Sequence, residues 1–270
     1  TNPTKWAWDF NNDGITDSSD QNPIYTFSSA GRYTVNLTVT NASGSSTLIK
    51  PNLIAVSAGP DPLTTVTSGT VSGDLYVNSV SPWSTTNTTT FDLPDAAANN
   101  ITWARLYVTT YTATPNSSYN TSSVVTLDGT VLGTEILNIE SEKNGNAYPV
   151  NDHVMKVYAD YEAWYDVTGR ITSARPVVAV TNSKVDGYLF DGRIKGITLV
   201  LAYNDGDSEI VKYWVNHGND WMGPAGASSA TTFDVTPLAA GWENATLTSV
   251  AFSGKDAAYT FPTSSSSPAK

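Results

Sequence analysis

The stretch "RYTVNLTVTN", residues 32–41, decides the fold class, because apolar and polar side chains alternate along it. The apolar set is Tyr33, Val35, Leu37 and Val39. A period of two is typical of a strand in an antiparallel sheet with one buried face. The turn sequence "NASGS" follows, and "TLIKPNLIAV" at 47–56 is predicted to return as the next strand.

The composition points in the same direction over the whole chain. Threonine, serine and asparagine are abundant, whereas leucine, glutamate and lysine, which favour helices, are scarce. Aspartate dominates the acidic residues and closes turns through local hydrogen bonds. We therefore predict an all-β protein, whose 270 residues suit two ordinary domains.

The charge balance limits the possible partners. The chain has 25 acidic and 14 basic residues, and a net charge of −11 repels phosphate backbones, so no nucleic-acid partner is expected. It has no cysteine, which excludes disulfides and thiolate metal sites. Apolar runs such as "GITLVLAY" at 196–203 are far shorter than the roughly 20 residues that cross a bilayer. No membrane span is predicted in this segment.

Residues 1–57 resemble a PKD domain, an immunoglobulin-like sandwich common on cell surfaces. The resemblance rests on "WDF" and "DG" near residue 8, "NPIYTF" at 22–27, "AGRYTVNLTVTN" at 30–41 and the closing "LIAV" at 53–56. It implies a partial sandwich, because the N-terminal pair of strands of this family is missing.

A truncated sandwich would leave the inner faces of its sheets open, including Trp8 and Phe10. A strand from a neighbouring copy could fill the gap, and head-to-tail donation of this kind builds filaments or tubes. The alternative is that the missing strands belong to an earlier part of a longer polypeptide.

The loop "WDFNNDGITD" at 8–17 carries oxygen ligands around one glycine. The candidate calcium ligands are Asp9, Asn11, Asp13, Asp17 and the backbone carbonyl of Ile15. An EF-hand is excluded, because Asp20 replaces the required glutamate and no helices flank the loop. Two interpretations remain: a non-helical calcium loop, and a turn closed by Asp9 and Asp13 with Gly14 at positive φ.

Seven N-x-S/T sequons are candidate glycosylation sites. They begin at Asn36, Asn41, Asn87, Asn100, Asn116, Asn120 and Asn244. A sequence rich in threonine, serine and asparagine also generates such triplets by chance. Together with the acidity and the scarcity of lysine, they indicate a secreted or cell-surface glycoprotein.

After a linker at 58–63, residues 64–262 are predicted to form a larger β-sandwich, and a serine-rich tail follows at 263–270. The predicted strand segments are 69–80, 87–94, 101–113, 122–136, 176–183, 194–218, 231–237 and 245–254. Eight or more strands in about 200 residues predict a jelly-roll-like sandwich.

Local signals refine this larger domain. Asp128-Gly129 and the turn Asn204 to Asp207 each lie between apolar runs and predict hairpins. Residues 154–167 fit either a helical turn or a further strand.

The larger block resembles a domain of unknown function that follows PKD domains in surface proteins of methanogenic archaea. The matching segments are "SGDLYVNS" at 72–79, "ITWARLYVTTY" at 101–111, "YEAWYDVTG" at 161–169, "GITLVLAYNDGDSEIVKYWVNHGNDWM" at 196–222 and "TLTSVAFSGKDAAYTF" at 246–261. This resemblance implies a location and an architecture, but no chemistry.

Motifs for serine hydrolases, zinc proteases, phosphate-binding loops and cysteine nucleophiles do not occur in the sequence. His217 lies in "YWVNHGNDWMG" beside Trp214, Asp220 and Trp221. This cluster could bind a sugar face or a metal, or it could be a polar strand end with core tryptophans. The candidate glycosidase acids Asp160, Glu162, Asp166, Asp207 and Glu209 are too many to select a pair.

The eight tryptophans and fourteen tyrosines allow sugar platforms as well as core packing. We expect a non-enzymatic structural or adhesive module of an archaeal cell-surface glycoprotein. Its expected partners are other copies of itself, other cell-envelope proteins or glycans. The alternative is a carbohydrate-binding accessory module of a secreted hydrolase.

Overall fold

The computed structural model describes residues 2–29, 31–56, 63–97, 100–113, 118–138, 147–218, 233 and 245–250. Within these ranges the chain forms fifteen β-strands in four sheets, which confirms the all-β prediction. Across the same ranges, no helix combines the length and the apolar character needed to cross a bilayer.

The N-terminal part forms one antiparallel sheet of three strands. They are β1 (Lys5–Asp9), β2 (Gly31–Asn41) and β3 (Gly44–Val56), with β2 in the centre. The alternation predicted for 32–41 holds in the register, because Trp8, Leu37 and Leu48 lie side by side on one face. Asp9 and Ile49 flank Asn36 on the opposite face.

The chain covers part of the apolar face with its own aromatic side chains. Phe10 stacks on Trp8 and on Tyr25, with ring centroids 5.5 and 4.4 Å apart. Phe27 extends this group to Tyr33, at a centroid distance of 4.5 Å. Leu48, which lies beside Leu37 on the same face, is nevertheless 55% exposed.

The larger domain contains two packed sheets and a two-stranded ribbon. The six-stranded sheet runs β10 (Ala147–Asn151), β11 (Val154–Val157), β12 (Asp160–Asp166), β7 (Ile101–Tyr111), β14 (Arg193–Tyr203) and β5 (Leu75–Val80). The four-stranded sheet runs β6 (Thr86–Thr90), β13 (Val177–Lys184), β8 (Thr121–Leu127) and β9 (Thr130–Leu137). The ribbon pairs β4 (Thr64–Val71) with β15 (Val211–His217).

The strand pairs of the two sheets are nested. β8 pairs with β9, β7 with β12, β6 with β13, and β5 with β14, all antiparallel. This is the arrangement of one long ribbon that is folded at the β8–β9 turn and wrapped around a core. It is the topology of a jelly roll, as the sequence predicts, with β10 and β11 added at one edge.

The core of the larger domain lies between the two sheets. Leu106 and Leu199 contribute from the six-stranded sheet, and Val125 and Val180 from the four-stranded sheet, all fully buried. The edge strand β10 of the six-stranded sheet also lies against β2 and β3, so it contacts the N-terminal sheet.

The predicted hairpin at Asp128-Gly129 is confirmed. Both residues have positive φ, 48° and 77°, as a two-residue type I′ turn between β8 and β9 requires. The hairpin predicted at Asn204 to Asp207 is wrong, because β14 and β15 belong to different sheets. That turn instead carries the chain out of the jelly roll into the ribbon with β4.

Residues 154–167 form the two strands β11 and β12 around Tyr158, so the strand alternative is confirmed and the helical one is wrong. Two further segments differ from the sequence prediction. The single strand predicted for 69–80 is interrupted between β4 and β5. The predicted strand at 245–254 is not formed over its described part, 245–250. Apart from Phe233, the segment 231–237 lies outside the described residues.

Candidate functional site

The loop at 8–17 is organised around the carboxylate of Asp9, which is 7% exposed. Its two oxygens accept hydrogen bonds from the backbone N–H groups of Asp13 and Gly14, at 3.2 and 2.9 Å. Gly14 has a φ of 87°, so it supplies the left-handed turn that the sequence predicts.

The other candidate calcium ligands bond within the same loop. Asp17 Oδ2 accepts from the N–H of Phe10 at 2.6 Å, and Asp13 Oδ1 accepts from the N–H of Ile15 at 2.8 Å. Asn11 Nδ2 donates to Asp13 Oδ2 at 2.9 Å. These bonds are those of an Asx-type turn, and the calcium site remains a prediction. Among the described residues, no cluster of three His, Cys, Asp or Glu is arranged to hold a metal ion.

The described sequon residues differ in accessibility. Asn100 is exposed, whereas Asn36, Asn41 and Asn87 are half-buried and Asn120 is buried at 3% exposure. Exposure therefore favours Asn100 as a glycan acceptor and disfavours Asn120. The sequons at 116 and 244 lie outside the described residues.

His217 at the end of β15 lies over the outer face of the six-stranded sheet. Its Nε2 atom is 2.9 Å from Glu162 Oε2, and both side chains are mostly buried. The imidazole also contacts the rings of Tyr107 and Trp164, at centroid distances of 5.0 and 4.8 Å. Of its predicted neighbours, Asp220 and Trp221 lie outside the described residues.

The hydroxyl group of Tyr107 on this face is shielded from solvent. Burial raises the pKa of its hydroxyl to about 12, although Arg105 opposes the shift. Glu162 adds to the shift because its charge disfavours a phenolate. The outer face of the sheet under β15 is therefore a shielded polar layer.

The candidate glycosidase acids lie in different environments. Asp160, Glu162 and Asp166 share one face of β12, but Asp160 pairs with Lys195 while Glu162 pairs with His217. Asp207 caps the exposed turn after β14, where its carboxylate accepts from the N–H of Glu209 at 2.8 Å. The structure therefore does not combine the five acids into one site.

A cleft of about 340 Å³ opens where β12 meets the edge of the four-stranded sheet. The side chains of Arg105, Arg170, Asp166, Trp164 and His153 line it. A second cleft of about 440 Å³ adjoins it, because Leu132 and Arg170 line both. The volume of the first cleft lies at the lower end of the range of small-molecule sites, about 300–1,000 Å³.

His153 is held between two carboxylates at the wall of this cleft. Its Nε2 lies 3.0 Å from Glu135 Oε1, and its Nδ1 lies 2.5 Å from Asp152 Oδ1. Partial burial disfavours the protonated ring, but the bonds to Asp152 and Glu135 outweigh it and raise the pKa of His153. Asn151 Nδ2 donates to the other oxygen of Glu135 at 2.9 Å.

The sequence reasoning missed most residues of this cleft. One signal was present: alternation along "DYEAWYD" at 160–166 places Trp164 and Asp166 on the same face as Glu162. Arg105 and Arg170 could not be found in this way, because they reach the cleft from parts of the chain distant in sequence.

Comparisons with known proteins identify two regions. The sequence pattern of PKD domains matches residues 1–56, and that of a protein of unknown function (DUF3344) matches residues 57–268. No curated protein matches the chain.

One solved structure, described as "Structural basis for the promiscuous specificity of the carbohydrate-binding modules from the beta-sandwich super family", aligns at 14% identity. The alignment covers 82% of this chain and 86% of that chain with a TM-score of 0.25, which is too low to support a conclusion.

Proposed function

The chain belongs to the DUF3344 family of proteins of unknown function, and we propose that it is a non-enzymatic structural and adhesive module of an archaeal cell-surface glycoprotein. PKD domains are typical of extracellular proteins, and one precedes the DUF3344 region here. In this proposal the module associates with further copies of itself in the cell envelope.

The observation that carries this proposal is an exposed apolar side chain, that of Leu48, at the edge of the N-terminal sheet. Leu48 is 55% exposed beside Leu37, on the same face as Trp8. Leu48 also lies on β3, one of the two outer strands of the sheet. A second copy that packs here would bury apolar surface and could extend the sheet along β3.

A second copy of the chain accounts both for the exposed Leu48 and for the outer position of β3. An outer strand offers backbone hydrogen bonds, and the adjoining apolar face offers burial, so a β-strand of another copy satisfies both. If the donor and acceptor surfaces differ, the contact is head-to-tail and does not close, and filaments result.

Two adjacent residues provide a matched test. Leu48 and Ile49 are 55% and 51% exposed and point to opposite faces of β3. Sedimentation at rising protein concentration should show self-association of the wild type and the Ile49→Lys variant, and a monomer for Leu48→Lys. Both variants add the same charge, so equal behaviour of the two, or a monomeric wild type throughout, contradicts the proposal.

A second candidate function is that of a carbohydrate-binding accessory module of a secreted hydrolase. The cleft at β12 favours it, because Trp164 offers an aromatic surface beside the hydrogen-bonding side chains of Arg105 and Asp166. A glycan array separates the two candidates: selective binding that is lost in a Trp164→Ala variant supports this one.

A further inference from the structure

Trp83 is the one exposed tryptophan among those in the described ranges, with 48% of its surface accessible. It lies between β5 and β6, at an end of the jelly roll. Its φ is 53°, in the left-handed region that bulky side chains rarely adopt. The protein thus presents a large apolar ring to solvent from a strained backbone position.

The surrounding backbone holds this conformation in place. The N–H of Trp83 donates to the carbonyl of Ile194 at 2.9 Å, and the N–H of Ile194 donates to the carbonyl of Ser84 at 2.7 Å. Ile194 is fully buried in the core, so the loop is fixed to β14. Backbone strain of this kind persists where the surroundings enforce it, and it clusters at functional sites.

A second ring and an ion pair complete a rigid surface around Trp83. The ring of Tyr111 lies 6.2 Å from that of Trp83 and is tilted by only 19°. The guanidinium carbon of Arg193 lies 4.8 and 4.9 Å from the two ring centroids.

Polar contacts fix these neighbours as well. Arg193 Nε and Nη2 donate to the two carboxylate oxygens of Asp191 at 2.6 and 2.7 Å. The hydroxyl of Tyr111 donates to the carbonyl of Ala113 at 2.9 Å. The rings and the ion pair are therefore ordered before any ligand arrives.

We propose that Trp83, Tyr111 and the Arg193–Asp191 pair form a binding platform for a neutral pyranose ring of a glycan. The apolar C–H face of the sugar stacks on the indole, while its hydroxyl groups bond to the guanidinium and the carboxylate at the rim. This inference rests on the second candidate function for its ligand class, but not on the same site. Arg105 of the cleft and Tyr111 are six positions apart on β7, roughly 20 Å.

Charge and size favour this ligand over others. Asp191 balances the charge of Arg193, and the net charge of −11 on the chain disfavours a polyanionic glycan. A stable protein interface needs about 800 Å² per partner. A pair of rings with a charged rim offers much less apolar area than that.

The test uses the whole chain and three probes: cellohexaose, mannohexaose and N-acetylchitohexaose, each titrated by calorimetry. The key variant is Trp83→Gly, because glycine accepts the left-handed conformation and removes the ring. We expect binding of at least one probe to weaken about tenfold or more in this variant. The melting temperature should stay the same or rise, because the strain is relieved.

Trp164→Ala serves as the control in the cleft and should leave platform binding unchanged. If a probe binds equally well to the wild type and Trp83→Gly but is lost in Trp164→Ala, the platform is wrong while carbohydrate binding stands. If none of the three probes binds the wild type, the platform is likewise overturned. A lowered melting temperature with unchanged affinity would assign Trp83 a purely structural role.

Discussion

Both carboxylate oxygens of Asp160 lie 2.6 Å from Lys195 Nζ, and the lysine side chain is only 2% exposed. Burial raises the pKa of Asp160 more than Lys195 lowers it, so the carboxylate depends on its partner to stay charged. Removing one member of such a buried pair leaves the other charge uncompensated, which strongly destabilises the fold.

We expect Lys195→Met to lower the free energy of unfolding by about 3–5 kcal/mol, because a buried carboxylate loses its counter-ion. Without the lysine, the pKa of Asp160 in the folded state rises further above its unfolded value, so part of the loss should return as the pH falls. Urea denaturation at several pH values measures both effects.

The control for this variant is an exposed pair. Arg175 and Asp92 lie 2.7 Å apart with side chains 71% and 75% exposed, so Arg175→Met should cost less than about 1 kcal/mol. If Lys195→Met and Arg175→Met lowered the free energy of unfolding equally, burial would not determine the strength of these pairs.

The raised pKa of His153 predicts a pH dependence of stability. The folded protein holds this proton more tightly than the unfolded chain, so protonation stabilises the fold. The contribution is complete below about pH 6.5, the ordinary value for histidine, and is lost as the pH rises through the higher folded-state pKa. Urea midpoints across this range should therefore fall with pH.

Glu135→Gln keeps the size of the carboxylate side chain and removes the charge that faces His153. This variant should show a shallower fall in the urea midpoint than the wild type. An unchanged slope would mean that the pair between His153 and Glu135 does not couple folding to pH.

Calcium should raise the melting temperature of the chelator-treated protein if the loop at 8–17 binds it, because the ion stabilises only the folded state. Asp13→Ala should abolish the response, whereas Asp20→Ala, outside the ligand set, should retain it. An identical shift in all three proteins would show that calcium does not bind at the loop 8–17.

Asp9→Asn should lower stability with or without calcium, since the Asp9 carboxylate accepts two backbone hydrogen bonds.

Two glycines near the ribbon should respond differently to alanine. A Cβ at Gly73 would clash with the carbonyl oxygen of Tyr203, which is backbone and cannot move aside. A Cβ at Gly69 would meet the ring of Tyr213 at 2.9–3.0 Å, and a side chain can shift. We expect Gly73→Ala to cost about 1–3 kcal/mol and Gly69→Ala less, measured by urea denaturation. The reverse order would contradict this account.

Local patterns predicted most of the described strands, because alternation reports which face of a strand is buried. Local patterns did not always predict which strands pair with each other. The turn after Tyr203 looks like a hairpin in sequence, yet β15 pairs with β4, and Thr65 bonds to Asn216 across 151 positions. A turn sequence predicts that the chain reverses its direction, but it does not determine which strand the next segment pairs with.

The buried charges could not be predicted for a related reason. Lys195 stands in "RIKGITLVLAY", a mostly apolar strand in which Arg193, Lys195 and Thr198 are the polar residues. The structure has a register shift between Ile194 and Gly196, and Lys195 lies at that irregularity, where it meets Asp160 on β12. Bulges depend on the tertiary packing, and a single sequence does not reveal them.

The nesting of the jelly roll also has a consequence for biosynthesis. The hydroxyls of Ser79 on β5 and Thr198 on β14 lie 2.9 Å apart but are 119 positions apart in the chain. The sheet of β1 to β3 has β2 and β3 joined by a tight turn, so it needs far less of the chain to form than β5 does. Local contacts form faster than distant ones, so pulse-labelled hydrogen exchange during refolding should protect β2 and β3 before β5. On the ribosome, β5 would remain without its partner until synthesis has passed β14.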